Sequence, residues 1–416
     1  MTRIGTPRIQ CPDVSSVAFV SLWIFVFCVP WEEEVSIVRG VAVSHLIGAG
    51  AAVAGVLACL IDRRIRRLDP LHYLLCTLVL WSALTCCWSV APDLSAVRAA
   101  SCAQLLLMIW LIWEFAPTES RQLSLLQAYV LGSYVSACSV IYSFVTGNGD
   151  NLGLVDGRYS ASGFNENELG IILALSLVMS CYLLARNAGP PLIWLLHVPV
   201  CVLAICLTGS RGSFIASTVA LLMFPLSFAS LRRAHRKFGV IALLLVIAAG
   251  IVFVPRSTWE RIGTIRSEIS EGTLTKRTFI WAAGLDVYRE HPVGGVGAGA
   301  FGASVYSKLD IPYVAHNSYL SVLVELGAVG AILFVALLVG LFRLAAQLPK
   351  LERRAWTILL LTWAVAVFSV TWEHRKPTWF LFGLLIAQAA AFRRPRPITG
   401  HAVQGLNSFP VWSNPS

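Results

Sequence analysis

Long apolar runs separated by short charged or turn-rich breaks dominate this chain, and their length identifies the solvent it folds in. A hydrocarbon core about 30 Å thick takes roughly 20 apolar residues of helix to cross. Twelve such runs are present, at approximately 14–31, 37–61, 71–90, 98–115, 123–146, 165–185, 192–209, 213–230, 239–255, 317–343, 355–371 and 377–392. Each is continuously apolar, whereas a barrel strand would alternate over about ten residues, so the pattern predicts helices. The expected fold is an all-α polytopic membrane protein of about 12 transmembrane helices.

Only the break at 256–316 has room for structure of its own. The expected organisation is one membrane domain over 1–416, with 256–316 as a large loop containing short helices and 393–416 as a Pro-, Gly- and Ser-containing tail. Inside the loop, Arg277 to Arg289 has no breaker except Gly284 and sets Ile280, Ala283, Val287 and Tyr288 along one face, the pattern of a short amphipathic helix. His291, Pro292 and the glycine-rich PVGGVGAGAF end it. A tight connection then returns the chain to His316 and Asn317, with Asn317 as N-cap of the next span and His316 at the membrane surface.

Composition agrees with a membrane solvent: 57% of residues are hydrophobic, 13% are charged, and the mean hydropathy is +0.72. A formal charge of +10 would suit nucleic acid, but its placement excludes that reading. With the N-terminus in the cytoplasm, arginines 63, 64, 66, 67, 121, 186, 232, 233, 236, 343, 353, 354 and 393 all fall in inside segments, and the short outside loops carry few. The excess is an orientation signal, which puts both termini inside and 256–316 on the far side. No small-x-small cleavage site follows the first run, so it is expected to be an uncleaved helix. Ten of the eleven cysteines lie in apolar runs as small apolar residues, without a disulfide framework or a metal-ligand spacing.

The far side collects the residues suited to chemistry. The loop 147–164 brings Arg158, the hairpin Thr208-Gly-Ser-Arg-Gly-Ser brings Arg211, and the long loop brings Arg277. A guanidinium at the hydrocarbon boundary either binds an anionic group bidentately or snorkels to lipid phosphates, and position alone leaves both open. His316 has an imidazole that titrates near neutrality and can take a proton from a hydroxyl; it can equally be an interfacial residue beside a cap. Among the other histidines, only His291 and His374 share its side. The GVGAGA stretch lacks the Gly-Lys-Ser/Thr of a phosphate loop and neither follows a clear strand nor opens a helix, so it is expected to be a bend. No outer His and carboxylates have metal-ligand spacing, so neither metal nor cofactor is expected.

These elements together resemble the O-antigen ligase and polymerase superfamily of bacterial envelope glycan enzymes. The matching stretches are Gly157-Arg-Tyr-Ser-Ala-Ser-Gly-Phe-Asn-Glu-Asn167, TGSRGS around Arg211, Arg277-x-x-x-Trp281 followed by His291-Pro292, then GGVGAGAF, His316-Asn317-Ser-Tyr-Leu and Glu325-Leu-Gly-Ala-Val-Gly330. The resemblance implies transfer of a glycan from undecaprenyl diphosphate to an acceptor hydroxyl, a growing polysaccharide or lipid A core, at the periplasmic face of the inner membrane, without nucleotide or metal. It implies that His316 activates the acceptor and that Arg211, Arg277 and Arg158 bind the diphosphate, with Asn317, Trp281 and Asn165 supporting; direct displacement would invert the anomeric centre. Many relatives carry Pro where this chain has Glu166. The family does not decide between polymerase and ligase. A transporter of a lipid-linked or small anionic substrate is the alternative; it would draw on charges such as Glu114 and Glu325 in or near spans.

Overall fold

Apolar runs become helices, and a polar residue at the edge of several of them caps the helix. The computed structural model describes residues 13–147 except 35, 39 and 40, residues 158–225, part of 236–264, and 277–393. In chain order the helices are α1 (Val14–Cys28), α2 (Val43–Asp62), α3 (Pro70–Leu84), α4 (Pro92–Phe115), α5 (Glu119–Thr146), α6 (Glu166–Ala185), α7 (Pro191–Thr208) and α8 (Arg211–Ala220). Then come α9 (Arg256–Gly263), α10 (Arg277–Glu290), α11 (Phe301–Leu309), α12 (Ser318–Ala346), α13 (Lys350–Ala366) and α14 (Lys376–Arg393). A short antiparallel strand pair, Ser36–Val38 with Val41–Ala42, joins α1 to α2. Asp69, Thr118, Asn165, Ser210 and Asn317 cap the helices that follow them through their side-chain oxygens, and left-handed Gly147 and Gly209 end α5 and α7.

Eight helical segments among the described residues are long and apolar enough to cross a membrane: Val14–Trp31, Val43–Asp62, Pro70–Cys87, Pro92–Phe115, Glu119–Thr146, Glu166–Ala185, Pro191–Thr208 and Ser318–Ala346. The protein is therefore a multi-pass, all-helical membrane protein. The last two expected runs appear as α13 and α14, which begin at Lys350 and Lys376 and are not among these eight. The runs expected at 213–230 and 239–255 lie partly outside the described residues, as does all of the tail beyond 393. Segment Glu166–Ala185 is 89% buried, so α6 has almost no lipid-facing side and forms the hub against α5, α7, α8 and α13. Gly170 makes one of these crossings possible, since a Cβ there would stand 2.3 Å from Ser213 Oγ.

Charges segregate to the two ends of the bundle, as their alternation in the sequence predicts. At one end Arg66 bonds to Glu114 and lies over the Trp113 ring, Arg186 pairs with Glu119 and Glu352, and Arg393 pairs with Asp69. The opposite end carries Glu32, Glu33, Arg98, Arg158, Glu168 and the Glu373–Lys376 segment, joined by their own ion pairs.

The long loop folds on this second end around a small core of its own. The apolar face of α10 is Ile280, Ala283 and Val287, as its spacing predicts, and it packs with Phe301, Val305, Leu320 and Val324. Gly284 is the breaker the helix tolerates, because the Phe301 ring closes to 3.0 Å of where its Cβ would be. The glycine-rich stretch differs from expectation in one respect: it leads into α11 at Phe301, so the connection to His316 contains a further helix. The stretch also does more than bend. Helix α12 is broken at Gly327 (φ +66°), and the glycine stretch docks in the break: Val296 N–H donates to Val324 O (3.0 Å), Gly297 N–H to Glu325 O (2.9 Å) and Ala328 N–H to Pro292 O (2.8 Å). Gly295 is at φ +68°, and a Cβ on it would stand 2.4 Å from Glu325 O, so this approach admits no side chain. These amides are already used within the fold, and a phosphate would find few of them open.

Candidate active site

Three segments that are distant in sequence are tied together at the second end of the bundle. Trp281, one turn into α10, donates its indole N–H to Ala315 O (2.9 Å) and so fixes the residue before His316 against the helix that begins with Arg277. His316 is half-buried and takes a left-handed conformation (φ +46°), and Asn317 follows as N-cap of α12, accepting from Tyr319 N–H (3.0 Å) and Leu320 N–H (3.1 Å). The left-handed turn aims His316 out of the helical path that Asn317 starts.

Electrostatics shows which charges face each other here. Burial and then the nearby charge of Arg211 push the Arg277 guanidinium below its ordinary range. Burial and then the charge of Arg277 push the His316 imidazole down in turn. Arg277 is therefore close enough to feel the charge of Arg211 and to disfavour the charged form of His316. Among the described residues Arg277 makes no ion pair with a carboxylate. Arg211 opens α8 just after the Ser210 cap and donates to Thr264 Oγ1 (3.3 Å) in the segment that follows α9.

Arg158 is placed differently. Its side chain is 10% exposed, and it donates from Nε to Thr208 O (3.0 Å) and from Nη2 to Asn167 Oδ1 (3.2 Å), with Nη1 3.5 Å from Glu166 Oε2. Asn167 Oδ1 also accepts from Ser210 Oγ (2.8 Å), so Arg158 clips the α6 entrance to the hairpin that presents Arg211. Asn165 is the N-cap of α6, accepting from Asn167 N–H (2.9 Å). Glu166 occupies the first helical position, where proline is favoured for its fixed φ and an acid for the helix dipole, and the acid gains Arg158 as well.

A second charged group escaped the motif reading. Arg375 donates to Glu33 Oε1 (2.9 Å) and pairs with Glu168 (2.7 Å), Lys376 pairs with Glu32, and Arg98 is 3.7 Å from Glu373. Burial alone would raise the Glu373 carboxyl, but His374 and Arg98 outweigh it and hold it down at about 2. The segment 367–373 also clasps the start of α12: Ser318 N–H donates to Val367 O (3.0 Å), Trp372 N–H to Ser318 Oγ (2.7 Å) and Ser321 Oγ to Glu373 (3.1 Å). The signal in the sequence was the pair of breaks Trp31-Glu-Glu-Glu34 and Trp372-Glu-His-Arg-Lys376, opposite in sign and on one expected side.

A family model described as O-Antigen ligase matches residues 198–335. The chain is also 23% identical over 295 residues to the exopolysaccharide production protein ExoQ of Rhizobium meliloti, a match covering 63% of this chain and 62% of that protein. The chain thus spans less than two thirds of that relative's length. The matched segment contains Arg211, Arg277, Trp281, His316 and Asn317, and Arg158 and Asn165 precede it. Residues 198–335 are thus similar to the O-antigen ligase family, in agreement with the resemblance that the individual motifs carry.

Proposed function

We propose that the chain is an inner-membrane glycan transferase that moves an oligosaccharide or polysaccharide from undecaprenyl diphosphate to an acceptor hydroxyl at the periplasmic face. The observation that carries this reading is the coupling of Arg277 to both Arg211 and His316. Two guanidiniums that feel each other's charge suit a diphosphate, whose charge grows as it leaves. Beside them, a neutral imidazole can accept a proton at physiological pH.

The acceptor O–H gives its proton to His316 while its oxygen forms a bond to the anomeric carbon. The bond from that carbon to the diphosphate oxygen breaks, and the diphosphate leaves with the electron pair, its charge met by Arg211 and Arg277. A single displacement of this kind inverts the anomeric centre, and neither metal nor nucleotide is required. Arg158, Asn165 and Asn317 hold the elements that present these groups. Glu325 and Glu114, which a transporter would draw on, are both occupied in the fold: Glu325 accepts from Gly299 N–H (2.6 Å) and Glu114 from Arg66 N–H (2.9 Å). The relative's part in exopolysaccharide production supports polymerisation over ligation.

The test is transfer by the purified protein in nanodiscs, from polyprenyl-diphosphate oligosaccharide with EDTA present, with products resolved by size. We expect transfer by wild type and none by folded His316→Ala or Arg211→Ala, with a ladder of products for a polymerase and a single addition for a ligase. Full activity of His316→Ala would remove it as the base. An inert wild type that moves the same lipid between leaflets would replace the reading with transport.

A further inference from the structure

A cavity of about 630 Å³ opens between α1, α2 and α4 at the end of the bundle that carries the candidate site. That is the size of a small-molecule site and far more than a packing defect. Its wall has two characters. Deep inside, Phe25, Leu105, Met108 and Leu111 are apolar, and small Gly48 and Ala52 on the facing side of α2 leave the space open. Around the rim stand Glu32, Glu33, Ser101, Gln104, Arg375 and Lys376.

The rim's cations are committed to the protein's own carboxylates. Arg375 is held by Glu33 and Glu168, while Lys376 is held by Glu32 and donates to Ser44 Oγ (3.0 Å), which itself donates to Glu32 (2.6 Å). A diphosphate entering here would compete with these acids and face them as like charges. Hydroxyl groups meet no such obstacle, because they can donate to the carboxylates and to Ser101 Oγ, whose own proton goes to Val97 O, and accept from the Gln104 amide. The rim therefore favours an uncharged polyhydroxyl head, and the interior an alkyl or prenyl chain.

The same residues connect the rim to the candidate site. Arg375 reaches Glu168, the neighbour of Asn167, and Asn167 accepts from the Ser210 cap that precedes Arg211. Glu373 accepts from Ser321, one turn beyond the Asn317 cap that follows His316.

We propose that this cavity seats the acceptor, an amphiphile whose apolar chain lies among Phe25, Leu105, Met108 and Leu111 and whose sugar hydroxyls meet the rim. Naming the occupant as the acceptor rests on the transferase reading above; that the cavity prefers a glycosylated amphiphile does not.

The experiment uses the full chain in nanodiscs, without donor, and two photoreactive probes of equal chain length, an alkyl glycoside and an alkyl phosphate. Cross-linked residues are mapped by mass spectrometry. The glycoside is expected to label the 48–53 and 105–111 segments about tenfold more than the phosphate does. Ala52→Trp and Met108→Trp, which fill the cavity from opposite walls, should each abolish that labelling, and His316→Ala should leave it unchanged. Equal labelling by both probes would mean that ordinary bilayer lipid fills the cavity, and labelling that survives both tryptophans would mean that the probe binds elsewhere; either result overturns the proposal. In the transfer assay the tryptophan variants should raise the KM for acceptor and not for donor. Head-selective labelling by a protein that transfers nothing would sink the transferase reading alone, and transfer with an unchanged acceptor KM would sink the cavity as the acceptor's seat.

Discussion

Two groups of cations sit at the same end of this bundle and are built in opposite ways. Arg277 lies partly buried under the like charge of Arg211, with a neutral His316 beside it, whereas Arg375 and Lys376 lie against Glu33, Glu168 and Glu32. Arg277 feels a neighbouring like charge, whereas Arg375 and Lys376 are matched by carboxylates. On the function proposed above, the first arrangement binds the anionic donor and the second braces the fold. Arg158 has the motif position of the first group and the bonding of the second, and this conflict makes the comparison testable.

The largest effect should come from the first group. His316→Ala is expected to lower transfer by about 10²–10⁴-fold, the usual contribution of a positioned base. Arg277→Ala should cost about 10²–10³-fold, as for the loss of one charge-stabilising donor. Neither should lower the thermal unfolding midpoint in detergent as much as loss of a brace residue. The comparison sharpens with pyrophosphate as ligand: it should raise the midpoint of wild type and of Arg375→Ala, and fail to raise that of Arg277→Ala. If Arg375→Ala also loses the response, the second group binds phosphate and the distinction fails. The pH profile checks the coupling itself. In the proposed role His316 takes a proton only when neutral, and burial and Arg277 lower its pKa, so the acid limb of kcat/KM should lie below that of an ordinary histidine. In Arg277→Gln the neighbouring cation is gone, so the imidazole pKa rises and the acid limb of the residual activity should move to higher pH.

Next in size is the test of Arg158. Its replacement by Ala strips Thr208 O and Asn167 of a donor and Glu166 of its partner in a nearly enclosed place, which should cost about 2–4 kcal/mol of stability. Arg158→Lys should recover little of this, because one ammonium cannot span three acceptors. Denaturant unfolding in detergent checks both. A stable Arg158→Ala with transfer abolished would return Arg158 to the diphosphate group. Arg375→Ala should cost less, about 1–2 kcal/mol, since that side chain is a third exposed and water screens the pair.

Much of this arrangement was legible along the chain, and the limits have a physical cause. Hydrophobic runs mark helices because a span must satisfy its backbone internally, and the Asn317 cap and the apolar face of α10 follow from local rules alone. The charge coupling of Arg277 to Arg211 and to His316 comes from tertiary structure; the motifs placed these residues on one side and could not couple them. The fold of the glycine stretch was partly hidden because its partner, the break at Gly327, lies some thirty residues on within a run that looks continuously helical. Glu33, Glu168 and Arg375 were harder still: their pairing joins two loops and the first turn of α6, which no sequence spacing relates.

The smallest expected effect probes the boundary between holding and reacting. Asn317 caps α12 with Oδ1 and immediately follows His316, so it can act on the chemistry by geometry or by touching substrate. Asn317→Ala should cost about 1 kcal/mol of stability, the ordinary value of a lost cap. Asn317→Asp keeps the accepting oxygen and therefore the stability, and it places a negative charge beside the imidazole. That charge favours the protonated form of His316, so the acid limb of kcat/KM should move to higher pH in Asn317→Asp and stay where it is in Asn317→Ala. Transfer above the limb should be nearly the same in Asp and wild type. A folded, fully capped Asn317→Asp that has lost transfer at every pH would mean that the amide N–H₂, the one group the Asp lacks, donates to the substrate, and capping would then be only half of what Asn317 does.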